Sequence, residues 1–286
     1  MKKLILHTLL LLLPLQLLAF VEVRNGHFYW EGSKWRAVGV NVSPSVSNKE
    51  SFQAVSQFGC NSVRVAPTSV QQLRDMVKWA KRAKVKLYVM LNDKLLPETL
   101  KTFQNKREIW AWEVSSEAIA KRMKAVCPHH LVSLSSDAQH MNLQAYADVV
   151  TFSPYIDFLS IPLRPIESKW VAPSNLYLGL RNAYLKTEQL IQTLARRMHS
   201  HAKPILVSAC SYPRDKMFRL PESSTSLRDS YFSFVMNFVL PNQGIAIAGV
   251  YFQSWEMPPA EVDDDSHLTT YSIYPSDSTT RQVISQ

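Results

Sequence analysis

The stretch Ile109-Trp-Ala-Trp-Glu-Val-Ser-Ser-Glu117 carries a carboxylate at the end of an apolar run. The run has the composition of a buried strand, and Glu117 falls where that strand should give way to a helix. A carboxylate at the C-terminal end of a barrel strand is well placed to act as a general acid. Three further acids follow apolar runs and can be asked whether they face it: Asp93, Asp137 and Glu256. Each is by itself an ordinary loop acid. Asp263-Asp-Asp265 is consecutive, without the alternating ligand spacing of a calcium loop. The three cysteines, Cys60, Cys127 and Cys210, allow one pair at most and lack metal-site spacing. Cys210 has no histidine placed nearby to act as its base. His129-His130 and His199-x-His201 read as helix-end positions. No metal and no cofactor is expected.

The elements that would position Glu117 alternate along the chain. Val21 to Trp30 reads as a hairpin turning at Asn25-Gly26, which would plug the bottom of a barrel. Eight apolar strands follow: Trp35 to Val42, Asn61 to Ala66, Val85 to Leu91, the Ile109 stretch, Leu131 to Ser135, Ile156 to Pro162, Lys203 to Ala209 and Ala248 to Trp255. Helical segments are expected between them, at 51–58, 70–84, 96–105, 117–125, 143–150, 175–201 and 230–240, with a closing helix at 279–285. This order predicts the α/β class and a single (β/α)8 TIM barrel over residues 20–286. No Gly-rich phosphate loop follows the first strand, which argues against a doubly wound nucleotide enzyme. Strict alternation puts Trp110 and Trp112 on one face of their strand.

Residues 1–19 read as a signal peptide: Lys2 and Lys3, an apolar run from Leu4 to Leu18, then Ala19. The run is short for a membrane span. Its removal lowers the formal charge from +9 to +7, and the remaining Lys and Arg are spread along helical segments. No nucleic-acid motif accompanies them, so neither nucleic acid nor membrane is expected as a partner. A secreted or periplasmic monomer is expected.

Several segments, in order along nearly all of the mature chain, resemble glycoside hydrolase family 5, in particular its secreted endo-β-1,4-mannanases. They are Trp35-Arg-Ala-Val-Gly-Val-Asn41, Asn61-Ser-Val-Arg64, Trp112-Glu-Val-Ser-Ser-Glu117, Lys203-Pro-Ile-Leu-Val-Ser-Ala-Cys-Ser-Tyr-Pro-Arg-Asp215, Ser226-Leu-Arg-Asp-Ser-Tyr231 and Tyr271-Ser-Ile-Tyr-Pro-Ser-Asp-Ser-Thr-Thr280. The resemblance implies a retaining glycosidase acting on β-mannan or a related polysaccharide. Such enzymes use two glutamates about 5 Å apart. Glu117 matches the acid/base position. Ala209 matches the nucleophile position, and a methyl group forms no glycosyl-enzyme bond.

Other departures fall on the same chemistry. The sugar-binding Asn before the acid/base is Ser116, the sixth-strand His-x-aromatic pattern falls on Pro162-Leu-Arg164, and the eighth-strand Phe-Trp falls on Phe252-Gln253. Arg64 is kept. The remaining substrate-binding candidates are Arg64, Ser116, Trp170 and Trp255, the tryptophans as platforms for a sugar ring. With no carboxylate at 209, Arg64 is expected to pair with Glu117 or with another acid at the mouth such as Glu256, because an arginine in a barrel mouth needs a compensating charge or water. Two outcomes remain open: a mannan hydrolase, or a catalytically inactive relative that binds polysaccharide or a partner protein.

Overall fold

The computed structural model describes residues 20–92, 95–135, 143–198, 201–241, 247–257 and 268–286. The expected signal peptide, Asp93, Asp137, His199 and Asp263 to Asp265 lie outside them.

The chain opens with a three-stranded antiparallel sheet, β1 (Glu22–Arg24), β2 (His27–Trp30) and β3 (Ser33–Trp35). The expected hairpin at Asn25-Gly26 is present, with φ of 48° and 74° at the turn. Trp35 belongs to a third strand of this plug and not to the first barrel strand. The plug seats Phe28 against Trp110 and Phe158, at ring distances of 5.0 and 5.2 Å.

Eight parallel strands follow: β4 (Ala37–Val42), β5 (Ser62–Val65), β6 (Lys86–Met90), β7 (Ile109–Val114), β8 (Leu131–Leu134), β9 (Leu159–Leu163), β10 (Ile205–Cys210) and β11 (Ile247–Trp255). They pair in chain order, and β11 returns to β4. Among the described residues, only the seam between β8 and β9 is thin. It holds a single bridge, Ser133 to Phe158, and the Asp157 carboxylate takes over one ladder position by accepting from Val132 N–H at 2.6 Å. The result is a nearly closed (β/α)8 TIM barrel.

Helices cover the outside, and three of them start at a side-chain cap. Asn48, Ser69 and Ser116 accept the N–H three residues on, which caps helices Lys49–Gln57, Val70–Ala83 and Glu117–Val126. The segment expected as a helix at 96–105 is a 3₁₀ helix, Pro97–Phe103. Helix Ser226–Phe234 starts four residues earlier than expected and runs into a π-helical turn, Val235–Val239. Among the described residues no helix is long and apolar enough to cross a membrane.

Two apolar layers result. The outer one joins strands to helices. The inner one fills the barrel with Tyr88, Trp110, Phe158, Leu206 and Tyr251 over the plug. Polar atoms in this inner layer are paired with one another. Trp110 Nε1 donates to Ser62 Oγ (3.2 Å) and Tyr251 Oη (3.1 Å), and Tyr88 Oη meets Ser133 Oγ at 2.6 Å. Trp110 and Trp112 do not share a face. The ladder with β6 slips between Ile109 and Ala111, so Trp110 faces in and Trp112 packs outward against His130. Gly39 sits where a Cβ would collide with the Ser62 carbonyl, so only glycine lets β4 and β5 approach at that level.

Candidate functional site

The C-terminal ends of the strands form the barrel mouth. Alternation along β5 puts Ser62 and Arg64 inside, between the outward Val63 and Val65. The Arg64 guanidinium holds both oxygens of Glu113, Nε to Oε2 at 2.8 Å and Nη2 to Oε1 at 2.7 Å. Its Nη1 donates to Asn41 Oδ1 at 3.3 Å, and Asn41 Nδ2 donates to the Ser208 carbonyl at 3.0 Å. One polar chain therefore crosses the barrel from β7 through β5 and β4 to β10, ending one residue before Ala209.

The acid that Arg64 holds is Glu113 and neither Glu117 nor Glu256. Glu113, four residues before Glu117, faces the axis and is 1% exposed. Burial raises its pKa, but the Arg64 charge and hydrogen bonds from Arg64, Tyr88 and Ser135 more than offset that, and the net shift is downward. Arg64 is partly buried, and Glu113 more than offsets its desolvation and raises its pKa. A pair tied in this way stays ionised and supplies neither an acid nor a free nucleophile. The missed signal was in the sequence: a lone charge inside an apolar strand must find a buried partner.

The pair makes a stability prediction. Breaking it from one side strands the other charge, so Glu113→Gln should cost about 3–5 kcal/mol. Because the folded pKa of Glu113 is lowered, the stability it contributes is present above the unfolded carboxyl value, about 4.3. That contribution is lost as pH falls through the lower folded value. Urea melts of both proteins at pH 7 and pH 3 check this. A gap between them that stays constant across that range would contradict the assignment.

Glu117 is the first residue of helix Glu117–Val126 and is exposed. Burial lowers the pKa of Lys203, and the charges of Asp157 and Glu117 partly offset that. Lys203 precedes β10 at the opposite end of the barrel, bonded to the Val150 and Ser153 carbonyls. Ser116 is occupied as the helix cap, accepting from Ile119 N–H at 3.3 Å.

Ala209 lies near the end of β10, 2% exposed, beside Pro162 of β9. The ladder is irregular here: Val207 and Cys210, three residues apart, both pack outward. Simple alternation therefore does not assign the direction of Ser208. Cys210 is buried in the outer layer, and burial pushes its thiol well up.

Trp255 is fully buried, edge-on to Phe58 at 5.2 Å, and cannot stack on a ligand; it packs outward because it, like Phe252, belongs to the outer layer. Trp170 is half-buried in the loop after β9, its carbonyl fixed by Asn182 at 2.6 Å. Glu256 is 4% exposed beyond β11 and accepts from Ser254 Oγ at 2.8 Å. Among the described residues no group of three His, Cys, Asp or Glu side chains is arranged to hold a metal.

Comparison with solved structures finds the same architecture. The glycoside hydrolase family 5 mannosidase from Rhizomucor miehei superposes with a TM-score of 0.78 at 15% identity, covering 94% of this chain and 96% of that one. A GH2 β-galacturonidase from Eisenbergiella tayi gives 0.63 at 12% identity, over 93% of this chain and 54% of that one. No curated protein matches by sequence. A model of the GH family 5 β-mannosidase-like group matches residues 88–284, more than half of the chain. The chain belongs to glycoside hydrolase family 5, in its β-mannosidase-like group.

Proposed function

We propose that this chain is a secreted, monomeric family 5 protein that binds a β-mannan-type polysaccharide in the barrel mouth and does not hydrolyse it by the retaining route. The observation that carries this is the methyl group of Ala209 at the position the resemblance gives to the nucleophile. The commitment of Glu113 to Arg64 supports it, since the acid inside the mouth is already neutralised. A mannose-based ligand is supported by the relative from Rhizomucor miehei, whose structure is described in complex with mannosyl-fructose. Secretion rests on Lys2, Lys3, the apolar run after them and Ala19.

The test is affinity electrophoresis of the purified protein through gels with and without soluble β-mannan. Migration should be retarded by mannan while the polymer keeps its length. Equal migration in both gels would sink the proposal. One observation favours a second function, hydrolysis by a substitute carboxylate: Glu256 is buried beyond β11 with a hydroxyl donor on it.

A further inference from the structure

Helix Val70–Ala83 carries charge that its own packing does not use. Its buried residues, Leu73, Met76, Val77 and Ala80, seat it on the barrel. On the opposite side Arg74, Lys78, Lys81 and Arg82 are exposed and share one face at helical spacing. Lys81 and Arg82 lie in the last turn, where the helix dipole favours cations. Arg74 lies in the second turn, where the dipole gives no such support, and the first turn holds no acid. Asp75 meets Lys78 at 3.0 Å, while Arg74, Lys81 and Arg82 have no carboxylate partner among the described residues.

The row continues beneath the barrel, at the end away from the mouth. Lys84 ends the helix in the left-handed region, at φ 58°, and is exposed. Lys86 Nζ donates to the Arg107 carbonyl at 2.8 Å, and Leu87 N–H donates to the Glu108 carbonyl at 2.7 Å. The turn before β6 therefore lies against the turn before β7, which exposes Lys106 and Arg107. Two acids are near. Burial lowers the pKa of Lys86, and the charges of Glu108 and Glu31 offset part of that. Both acids thus act on a lysine that is half-buried over the Trp30 ring, at 4.2 Å. Residues 20–124 hold 18 Lys and Arg against 9 Asp and Glu, and residues 125–286 hold 12 against 14. The positive excess lies in the first part, and residues 70–86 alone supply six bases and one acid.

We infer that this basic row docks a linear acidic polysaccharide, a polyuronate with one carboxylate on each sugar. The surface is separate from the mouth, and the inference takes from the function proposed above only secretion, which brings the chain to extracellular glycans. The arrangement selects the ligand. Cations at i and i+4 repeat about every 6 Å along a helix, and Arg74 to Arg82 spans about 12 Å. A line of that kind suits an extended polymer with evenly spaced charges, not a single small anion. A single strand of nucleic acid would need exposed rings for its bases to stack on. Trp79, the ring in this helix, is half-buried against Phe52 at 5.8 Å. A lipid surface would need apolar side chains to enter it, and none of the large exposed hydrophobic residues lies between 70 and 86. What remains is charge attraction, which salt screens.

The experiment is isothermal titration of the full mature protein with de-esterified polygalacturonate at low ionic strength. Wild type should bind, and added salt should weaken the binding. The double variant Lys78→Glu with Lys81→Glu should raise Kd roughly tenfold or more. A control with the same charge change, Arg181→Glu with Lys186→Glu, alters exposed residues of helix Leu176–Met198, which follows β9 on the other side of the barrel. It should bind within about threefold of wild type, as expected for charges beyond the screening length. Equal weakening in both double variants would show attraction by net charge alone and overturn the row. So would no binding by wild type, or binding to anionic vesicles or to DNA but not to polygalacturonate. If Lys78→Glu with Lys81→Glu does not fold, the neutral pair Lys81→Gln with Arg82→Gln takes its place and should weaken binding in the same direction. Retardation by neutral β-mannan should be the same in wild type and in the row variants, so failure of the row and failure of the mouth's proposed function are read separately.

Discussion

Purified wild type and its Glu117→Gln variant are expected to release reducing sugar from β-mannan at the same near-background rate. Retaining hydrolysis needs two carboxyl groups about 5 Å apart, one to protonate the leaving oxygen and one to attack the sugar. Ala209 cannot attack. Glu117 stands exposed at the start of helix Glu117–Val126. Even a well-placed general acid alone contributes roughly 10²–10⁴-fold, against roughly 10⁶-fold or more for whole enzymes. Restoring a glutamate by Ala209→Glu is not expected to rescue turnover. Ser116 is spent on capping, and Pro162 and Gln253 replace sugar-binding side chains expected from the family. Ordinary enzymatic turnover in wild type that disappears in Glu117→Gln would overturn this and point to Glu256 as a substitute carboxylate.

Asp277→Asn is expected to be the most damaging single change outside the mouth. Arg214 and Arg228 are both fully buried, and Asp277 is what compensates them. Its carboxylate accepts from Arg214 Nη2 at 2.7 and 2.6 Å and from Arg228 Nη2 at 2.8 Å, and it also takes the Tyr274 N–H at 3.0 Å. Burial pulls the Arg228 pKa down, and Asp277 offsets part of that. Removing the anion takes away the carboxylate bonded to both guanidinium groups and leaves Arg228 with Asp229 at 3.9 Å from its Nε. Breaking a buried pair from one side costs about 3–5 kcal/mol. For a chain of this length that lowers the melting temperature by roughly 10 °C. The network ties the loop after β10 and helix Ser226–Phe234 to the closing helix Ser278–Ile284, so those elements should loosen together. Calorimetry on both proteins measures it. A melting temperature within about 2 °C of wild type would show that Asp277 is not the anchor.

Much of the architecture was decided locally. The alternation of apolar strands with helical segments, the Asn25-Gly26 turn and the caps at Asn48, Ser69 and Ser116 are short-range features, and the barrel follows from their order. The sequence also determined that position 209 carries no nucleophile. Facing and pairing were not legible, because they depend on register between strands far apart in the chain. A slip beside Ile109 sent Trp110 in and Trp112 out, and an irregular ladder in β10 turned both Val207 and Cys210 outward. Arg64 had several acids to choose from along the sequence. Only the packed barrel, by placing Glu113 two strands from Arg64 on the inner face and Glu117 on an exposed helix end, fixed which one it holds. The physical reason is burial: desolvation forces a charge inside the barrel to bind whichever opposite charge the register delivers, while an exposed acid has water instead.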